Sequence, residues 1–346
     1  ASDVYKRQIN NIYIKEIPLK QSFQKLMVAL GLMLTLSLPT SASASSRSWK
    51  SWFIEQYFWL KRDKSYYAEQ DDTSFQNYLN ACREQSDKPY ELDPGTVNGQ
   101  LVQEKLFDMQ VYSWNDNGKP NQKTIFYLAG GSYLNNPTSY HISMLKTLST
   151  SLDAKIILPI YPKAPRYTYD YAMPRLVNLY KHYQQKNQEL FLMGDSAGGG
   201  LALGLAHALN NEAIPQPKQI ILLSPWLDVT MSHAEIPNYE EADPILSAWG
   251  LKRVGALWAN SSDNTNHIYV SPKNGPIHNL APITLFTGTR EIFYPDIRDY
   301  AAKLQAAKHQ VTYIAQEGMN HVYPIYPIEE AKTAQYQIID AINKTP

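Results

Sequence analysis

Apolar residues along this chain fall into two patterns. Short, nearly unbroken apolar runs recur at Thr124 to Leu128, Ala154 to Ile160, Leu190 to Met193, Gln219 to Leu223, Ile283 to Thr287 and Val311 to Ala315. Runs of this length without polar alternation predict strands buried on both faces. Between them, residues 170 to 184, Ala197 to Leu209, Asp296 to Ala307 and Glu329 to Ile342 carry apolar positions at helical spacing. Val102 to Trp114 reads as one further strand, and Asn115-Asp116-Asn117-Gly118 as a hairpin-type turn before the strand at Thr124. Strands alternating with helices predict an α/β fold with a mostly parallel central sheet and helices on both of its faces.

Two stretches break the rhythm. From Trp49 to Leu60, the residues Trp49, Phe53, Tyr57 and Leu60 fall at helical spacing, and this stripe is expected to be a packing face rather than a membrane or ligand surface. Residues 61 to 95 are polar and charged, with short helices expected up to the turn signal Pro94-Gly95. Residues 229 to 280 are rich in Asn, Ser, Pro and acidic residues around one helical patch, Leu246 to Trp258. That insertion and residues 46 to 95 are expected to cover the mouth of the sheet as a lid. The domain reading is therefore a cap segment over residues 45–99 and one main domain over residues 100–346, with a lid insertion at 229–280. No internal repeat or low-complexity linker interrupts it.

The N-terminus carries a different signal. Lys15, Lys20 and Lys25 precede the apolar run Leu26 to Leu38, which is followed by Pro39 and the small residues Ser41 to Ser45. A basic region, a short apolar core and an Ala-x-Ala site form a secretory signal pattern, with cleavage expected after Ala44. The run is short for a membrane span, which needs roughly 20 residues. An uncleaved anchor or a buried helix is the alternative, and a lipoprotein anchor is excluded because no Cys follows the run. The opening ASDVYKRQ reads as translated adapter sequence, so it is set aside with the signal as residues 1–44.

Composition adds exclusions. With 32 basic and 32 acidic residues the formal net charge is zero, and no long Lys/Arg run occurs, so a nucleic acid partner is not expected. The chain has 25 Tyr and 7 Trp, enough for aromatic side chains to line surfaces as well as the core. Cys82 is the single cysteine, which rules out an intramolecular disulfide and reads as a small buried hydrophobe. No His, Cys or carboxylate cluster shows ligand spacing, so neither a metal nor a cofactor is expected.

The chemistry concentrates at Gly194-Asp195-Ser196-Ala197-Gly198-Gly199. This G-x-S-x-G pattern follows an apolar strand and opens a helix, the context of a nucleophile elbow, with Ser196 as the nucleophile. The helix N-terminus adds donor N–H groups and positive potential beside a developing oxyanion. A Ser hydroxyl requires a base, and His321 stands in a loop after the last strand, in the chain order Ser, acid, His. His141, His182 and His207 lie on or near predicted helices and read as core or surface residues. Glu291 leaves the penultimate strand directly and is the expected orienting acid. Asp296 is the alternative acid, although its neighbours resemble a helix start, and Asp228 reads as structural. Gly130 and Gly131 follow an upstream strand and permit the close backbone approach that an oxyanion hole requires, beside the N–H of Ala197.

Over residues 100 to 345 the chain resembles the hormone-sensitive-lipase-like carboxylesterases, the α/β-hydrolase fold-3 family. The family's GDSAGG motif is unbroken at Gly194 to Gly199, which implies a nucleophilic role for Ser196. Its Asp-Pro-Leu acid loop corresponds to Glu291-Ile292-Phe293, with Glu in place of Asp, and its histidine loop to Gly318-Met319-Asn320-His321. Its His-Gly-Gly-Gly motif appears as Ala129-Gly130-Gly131-Ser132, without the leading His and the third Gly. The resemblance implies an α/β-hydrolase fold, a cap drawn partly from the N-terminus, and hydrolysis of a small-molecule ester. The resulting expectation is an exported serine carboxylesterase for short-chain esters, with no stable membrane span after signal cleavage. A peptidase or amidase on the same fold, and a non-catalytic binding protein that keeps it, are the rivals. The sequence leaves the oligomeric state open.

Overall fold

In the computed structural model Ser46–Pro346 forms one compact unit. The structure describes residues 47–62, 64–68, 71–186 and 189–345. The signal pattern, its cleavage site and the adapter-like opening lie outside the described residues.

Eight strands form one sheet: β1 (Val102–Leu106), β2 (Met109–Trp114), β3 (Thr124–Leu128), β4 (Lys155–Ile160), β5 (Leu190–Asp195), β6 (Gln219–Leu223), β7 (Ile283–Gly288) and β8 (Val311–Gln316). Their order across the sheet is β1-β2-β4-β3-β5-β6-β7-β8. β2 pairs antiparallel with both neighbours, and every pairing from β4 to β8 is parallel. The expected single strand from Val102 to Trp114 is thus two strands. Phe107 and Asp108 both adopt positive φ and fold the chain back on itself, the twist that a two-residue hairpin loop requires. Neither is Gly or Asn, so the turn carries no sequence signal. Nor does Asn115-Asp116-Asn117-Gly118 close a hairpin, because β2 pairs with β4 while β3 lies on the far side of β4.

Alternation along each strand divides the core. Phe126, Leu192, Ile220 and Leu285 enter one apolar cluster, and Ile125, Phe191, Ile221 and Phe286 the other. Helices α4 (Ser139–Leu152) and α10 (Glu329–Lys344) cover the second face; α5 (Tyr169–Gln184), α6 (Ser196–Asn211) and α9 (Tyr294–Ala306) cover the first. The insertion forms α7 (Ile236–Glu240) and α8 (Ala248–Trp258). The latter packs on α2 (Ser65–Ala68), next to α3 (Asp72–Ser86). Cys82 is buried on α3, and burial pushes its thiol up to about 12.

The N-terminal helix α1 (Trp49–Lys61) forms where the stripe predicts it, but only part of the stripe packs: Tyr57 lies against the second apolar cluster and Phe53 is half-buried. Ser51, Glu55 and Phe58 are the buried residues; Trp49 and Leu60, expected to pack inward, stand exposed. The reason is polar: Glu55 is drawn inward by Arg47, Arg290 and Asn320, and the helix turns with it.

Phe191 is buried at the centre of the sheet. Phe191→Ala is expected to cost about 3–5 kcal/mol, read from the urea unfolding midpoint; a loss below about 1 kcal/mol would show that the two-sided core is loosely packed there.

Candidate active site

β5 runs directly into α6 through Ser196, whose φ of 51° lies in the left-handed region. That conformation costs a non-glycine residue about 1–3 kcal/mol and persists only where its surroundings fix it. The Ser196 hydroxyl lies 2.9 Å from His321 Nε2, and His321 Nδ1 lies 2.5 Å from Glu291 Oε2. A carboxylate only accepts, so Nδ1–H donates to Glu291 and the bare Nε2 faces the Ser196 hydroxyl. All three side chains are buried. Burial pushes the His321 imidazolium down, but the Glu291 hydrogen bond and charge, with smaller help from Asp243 and Asp195, outweigh it and hold His321 above the usual range.

Glu291 is itself fixed. Its second oxygen accepts from Ser224 Oγ (2.7 Å), Thr287 Oγ1 (2.5 Å) and the Gly288 N–H (2.9 Å). Ser224 also accepts from the Val322 N–H at 3.0 Å, so one hydroxyl joins the acid to the histidine loop. Asp296 is elsewhere. It sits in the first turn of α9 and accepts from Lys273 Nζ at 2.8 Å, and the same ammonium pairs with Asp228 at 2.6 Å. The structure therefore brings Ser196, His321 and Glu291 together and leaves Asp296 and Asp228 on Lys273.

The glycine loop needs one correction. The Gly130 N–H donates to Asp195 Oδ1 at 2.8 Å, so it is occupied and unavailable to an oxyanion. Among the described residues no acceptor engages the N–H of Gly131, Ser132 or Ala197. Ser132, in the place of a glycine, takes a φ of 53° and Tyr133 one of 59°. Aromatic packing holds them there: Tyr133 stacks on Trp258 (centroids 4.3 Å apart) and on Trp226 (5.5 Å), and Tyr67 donates to Ser132 Oγ at 3.1 Å.

Asp195 is the buried charge beneath this loop. Burial pushes its carboxyl up, but His141, Tyr127 and the Gly130 N–H together hold it below the ordinary range. His141 Nε2 lies 3.1 Å from Asp195 Oδ2, and Tyr127 donates to Oδ1 at 2.6 Å. The Thr138 N–H points at His141 Nδ1 from 3.0 Å, which leaves the proton on Nε2 for Asp195. His141 is in the core, as its helical position implies, yet it orders the loop beside Ser196.

Two further acids hold the neighbouring loops from a distance in sequence. Asp243, buried between α7 and α8, accepts from the Ile292 N–H at 3.0 Å and from Ile245 and Leu246 N–H at 2.8 and 2.9 Å. Burial pushes its carboxyl up, more than His321 and these N–H groups pull it down. Glu55 on α1 accepts from Arg290, next to Glu291, and from Asn320, next to His321, each at 3.2 Å. None of Ser224, Asp243, Glu55 or His141 follows a local motif. Only a buried acid or hydroxyl beside a known motif residue would point to them, and sequence does not display adjacency.

A strained serine where a parallel strand meets its helix, with histidine and acid on the loops after the last two strands, defines an α/β-hydrolase site. A family model described as alpha/beta hydrolase fold matches residues 125–325. The chain belongs to this family, the hormone-sensitive-lipase-like esterases of α/β-hydrolase fold-3 type. It is similar to an acetyl-hydrolase of Streptomyces hygroscopicus, 26% identical over 62% of this chain and 72% of that protein. It is also similar to an esterase of Acinetobacter venetianus, 25% identical over 62% and 73%. The crystal structure of a Staphylococcus aureus protein assigned as an esterase superposes with a TM-score of 0.78 at 28% identity, covering 84% of this chain and 99% of that one.

Glu55→Ala removes the acceptor that Arg290 and Asn320 share. Unfolding stability is expected to fall by about 1–3 kcal/mol, and ester turnover to fall through kcat with KM little changed, because Glu55 steadies two loops and reaches no reacting atom. A change confined to KM would contradict this.

Proposed function

We propose that this protein is an exported serine carboxylesterase that hydrolyses short-chain esters through an acyl-enzyme. The observation that carries the reading is the unbroken hydrogen-bonded line from Glu291 through His321 to the buried Ser196 hydroxyl at the elbow.

Each step follows from that line. Ser196 Oγ attacks the ester carbonyl carbon while His321 Nε2 takes the hydroxyl proton, and Glu291 holds the ring and offsets the imidazolium charge. The carbonyl oxygen becomes an oxyanion that rests on the N–H groups of Ala197, Gly131 and Ser132. Each such donor is worth roughly 100- to 1,000-fold in rate. Collapse breaks the ester C–O bond, and the leaving alkoxide takes the proton from His321. A water then repeats the cycle: His321 removes its proton, its oxygen attacks the acyl carbon, and Ser196 leaves with the proton as the carboxylic acid departs.

The short-acyl preference rests on the aromatic crowding around the donor loop, where Tyr133, Trp226 and Trp258 are fully buried. The name of the Streptomyces relative, an acetyl-hydrolase, points the same way. Export rests on the basic, apolar and small-residue pattern of residues 15 to 45.

Because neutral His321 is the base, and Glu291 raises its pKa, the acid limb of kcat/KM is expected above the ordinary histidine value of about 6.5. Glu291→Gln removes the partner that raises it, so the limb should move to lower pH as kcat falls. A limb that stays in place in this variant would remove Glu291 from the role.

On p-nitrophenyl esters, kcat/KM is expected to be highest for acetate to butyrate; turnover that climbs steadily with acyl length would overturn the short-chain reading. N-terminal sequencing of the exported protein should start at Ser45, and an intact basic region would contradict cleavage.

A further inference from the structure

Helix α1 is built inside out. Its buried side chains include Ser51 and Glu55, while Trp49, Trp52, Trp59 and Leu60 are 56%, 42%, 38% and 70% exposed. At about 100° per residue these four, with Phe53 and Gln56, span an arc of roughly 120° in which Gln56 is the one polar member. Half of the large apolar side chains that stand exposed among the described residues lie on this one helix. The patch is also preformed: the Phe53 ring meets Trp49 edge-on at 5.6 Å and Trp52 at 5.1 Å.

We propose that this face docks on the interfacial zone of a lipid bilayer and holds the enzyme there as a peripheral protein. Scattered apolar residues on a surface require no explanation, but a contiguous patch on a helix whose opposite face buries a carboxylate does. Its composition selects the occupant. Three of the outward residues are Trp, whose wide ring and single N–H suit the boundary between headgroups and acyl chains. Exposed cations stand at its C-terminal end, Lys61 and Arg62, while Lys50 pairs with Glu329 and Lys64 with Glu240. A second copy of the chain fits poorly. The helix is about 20 Å long, and its four exposed side chains offer roughly 450 Å², against about 800 Å² per partner in a stable dimer.

The position of the helix in the chain points the same way. Ten residues, 39 to 48, separate the apolar run Leu26 to Leu38 from Trp49, a gap that spans at most about 40 Å. On the export reading of that run, α1 is the first described element after the segment that meets a membrane. No helix among the described residues is long and apolar enough to cross a membrane. Trp and Leu exposed on one face, with basic residues at the end of the helix, suit the interface plane.

The test is co-sedimentation with vesicles of phosphatidylcholine and phosphatidylglycerol, using the full chain and the compact unit Ser46–Pro346. The unit alone is expected to bind, which separates α1 from the apolar run. The triple variant W49S/W52S/W59S should lower its partitioning by about tenfold or more, with hydrolysis of soluble p-nitrophenyl acetate unchanged. Leu60→Asp, at the most exposed position of the face, gives the same reading if the triple variant folds poorly. The proposal fails if the unit does not bind vesicles, if binding is indifferent to both variants, or if the unit is a dimer in vesicle-free solution that the substitutions disperse. Activity plays no part in the binding readout, so failure here leaves the esterase reading untouched, and the reverse holds.

Discussion

The whole site depends on a contact that leaves no room for a methyl group. A Cβ on Gly198 would lie 2.0 Å from the carbonyl oxygen of Leu128, and one on Gly130 would lie 2.4 Å from Asp195 Oδ2 and 2.9 Å from the Ser196 Cβ. Helix α6 can therefore press its first turn against the end of β3. That closeness forces the left-handed turn at Ser196 and brings the free N–H groups of the glycine loop to the same place as the helix N-terminus. The strained Ser196 and the free N–H groups beside it are one consequence of one close approach.

Around that contact the protein spends its buried polar groups on fixing loops. Asp195 is held by His141 and Tyr127 and in turn takes the Gly130 N–H, which turns the following donors free. Ser224 spans from Glu291 to the Val322 N–H, and Asp243 and Glu55 steady the residues beside Glu291 and His321. The missing third glycine is offset by packing. Ser132 and Tyr133 both sit at positive φ, and the ring of Tyr133 lies nearly parallel to Trp258, at 4°. A loop elsewhere made permissive by glycine is here clamped by an aromatic stack from the insertion.

Sequence revealed what is local. Parallel strands showed as continuous apolar runs because both their faces are covered, and the elbow showed because strand, Gly-x-Ser-x-Gly and helix are contiguous. Glu291 was distinguishable from Asp296 by its distance from the strand end, and the structure leaves Asp296 with Lys273. What stayed hidden depends on remote partners. The β1–β2 hairpin turns on Phe107 and Asp108, residues with no turn signature; the role of Ser224 needs Val322, 98 positions away. The facing of α1 could not be read from its own stripe, because one buried Glu55 with partners at 290 and 320 outweighed the apolar periodicity.

The most direct test is the structure of the protein after reaction with a small alkyl phosphonate ester, whose tetrahedral phosphorus mimics the proposed intermediate. Phosphorus should be bonded to Ser196 Oγ, with His321 Nε2 near the leaving-group position. The phosphonyl oxygen should lie about 2.7–3.1 Å from the N–H groups of Gly131, Ser132 and Ala197, while the Gly130 N–H stays on Asp195. An adduct on another residue, or an oxygen turned away from those donors and toward solvent, would contradict the account.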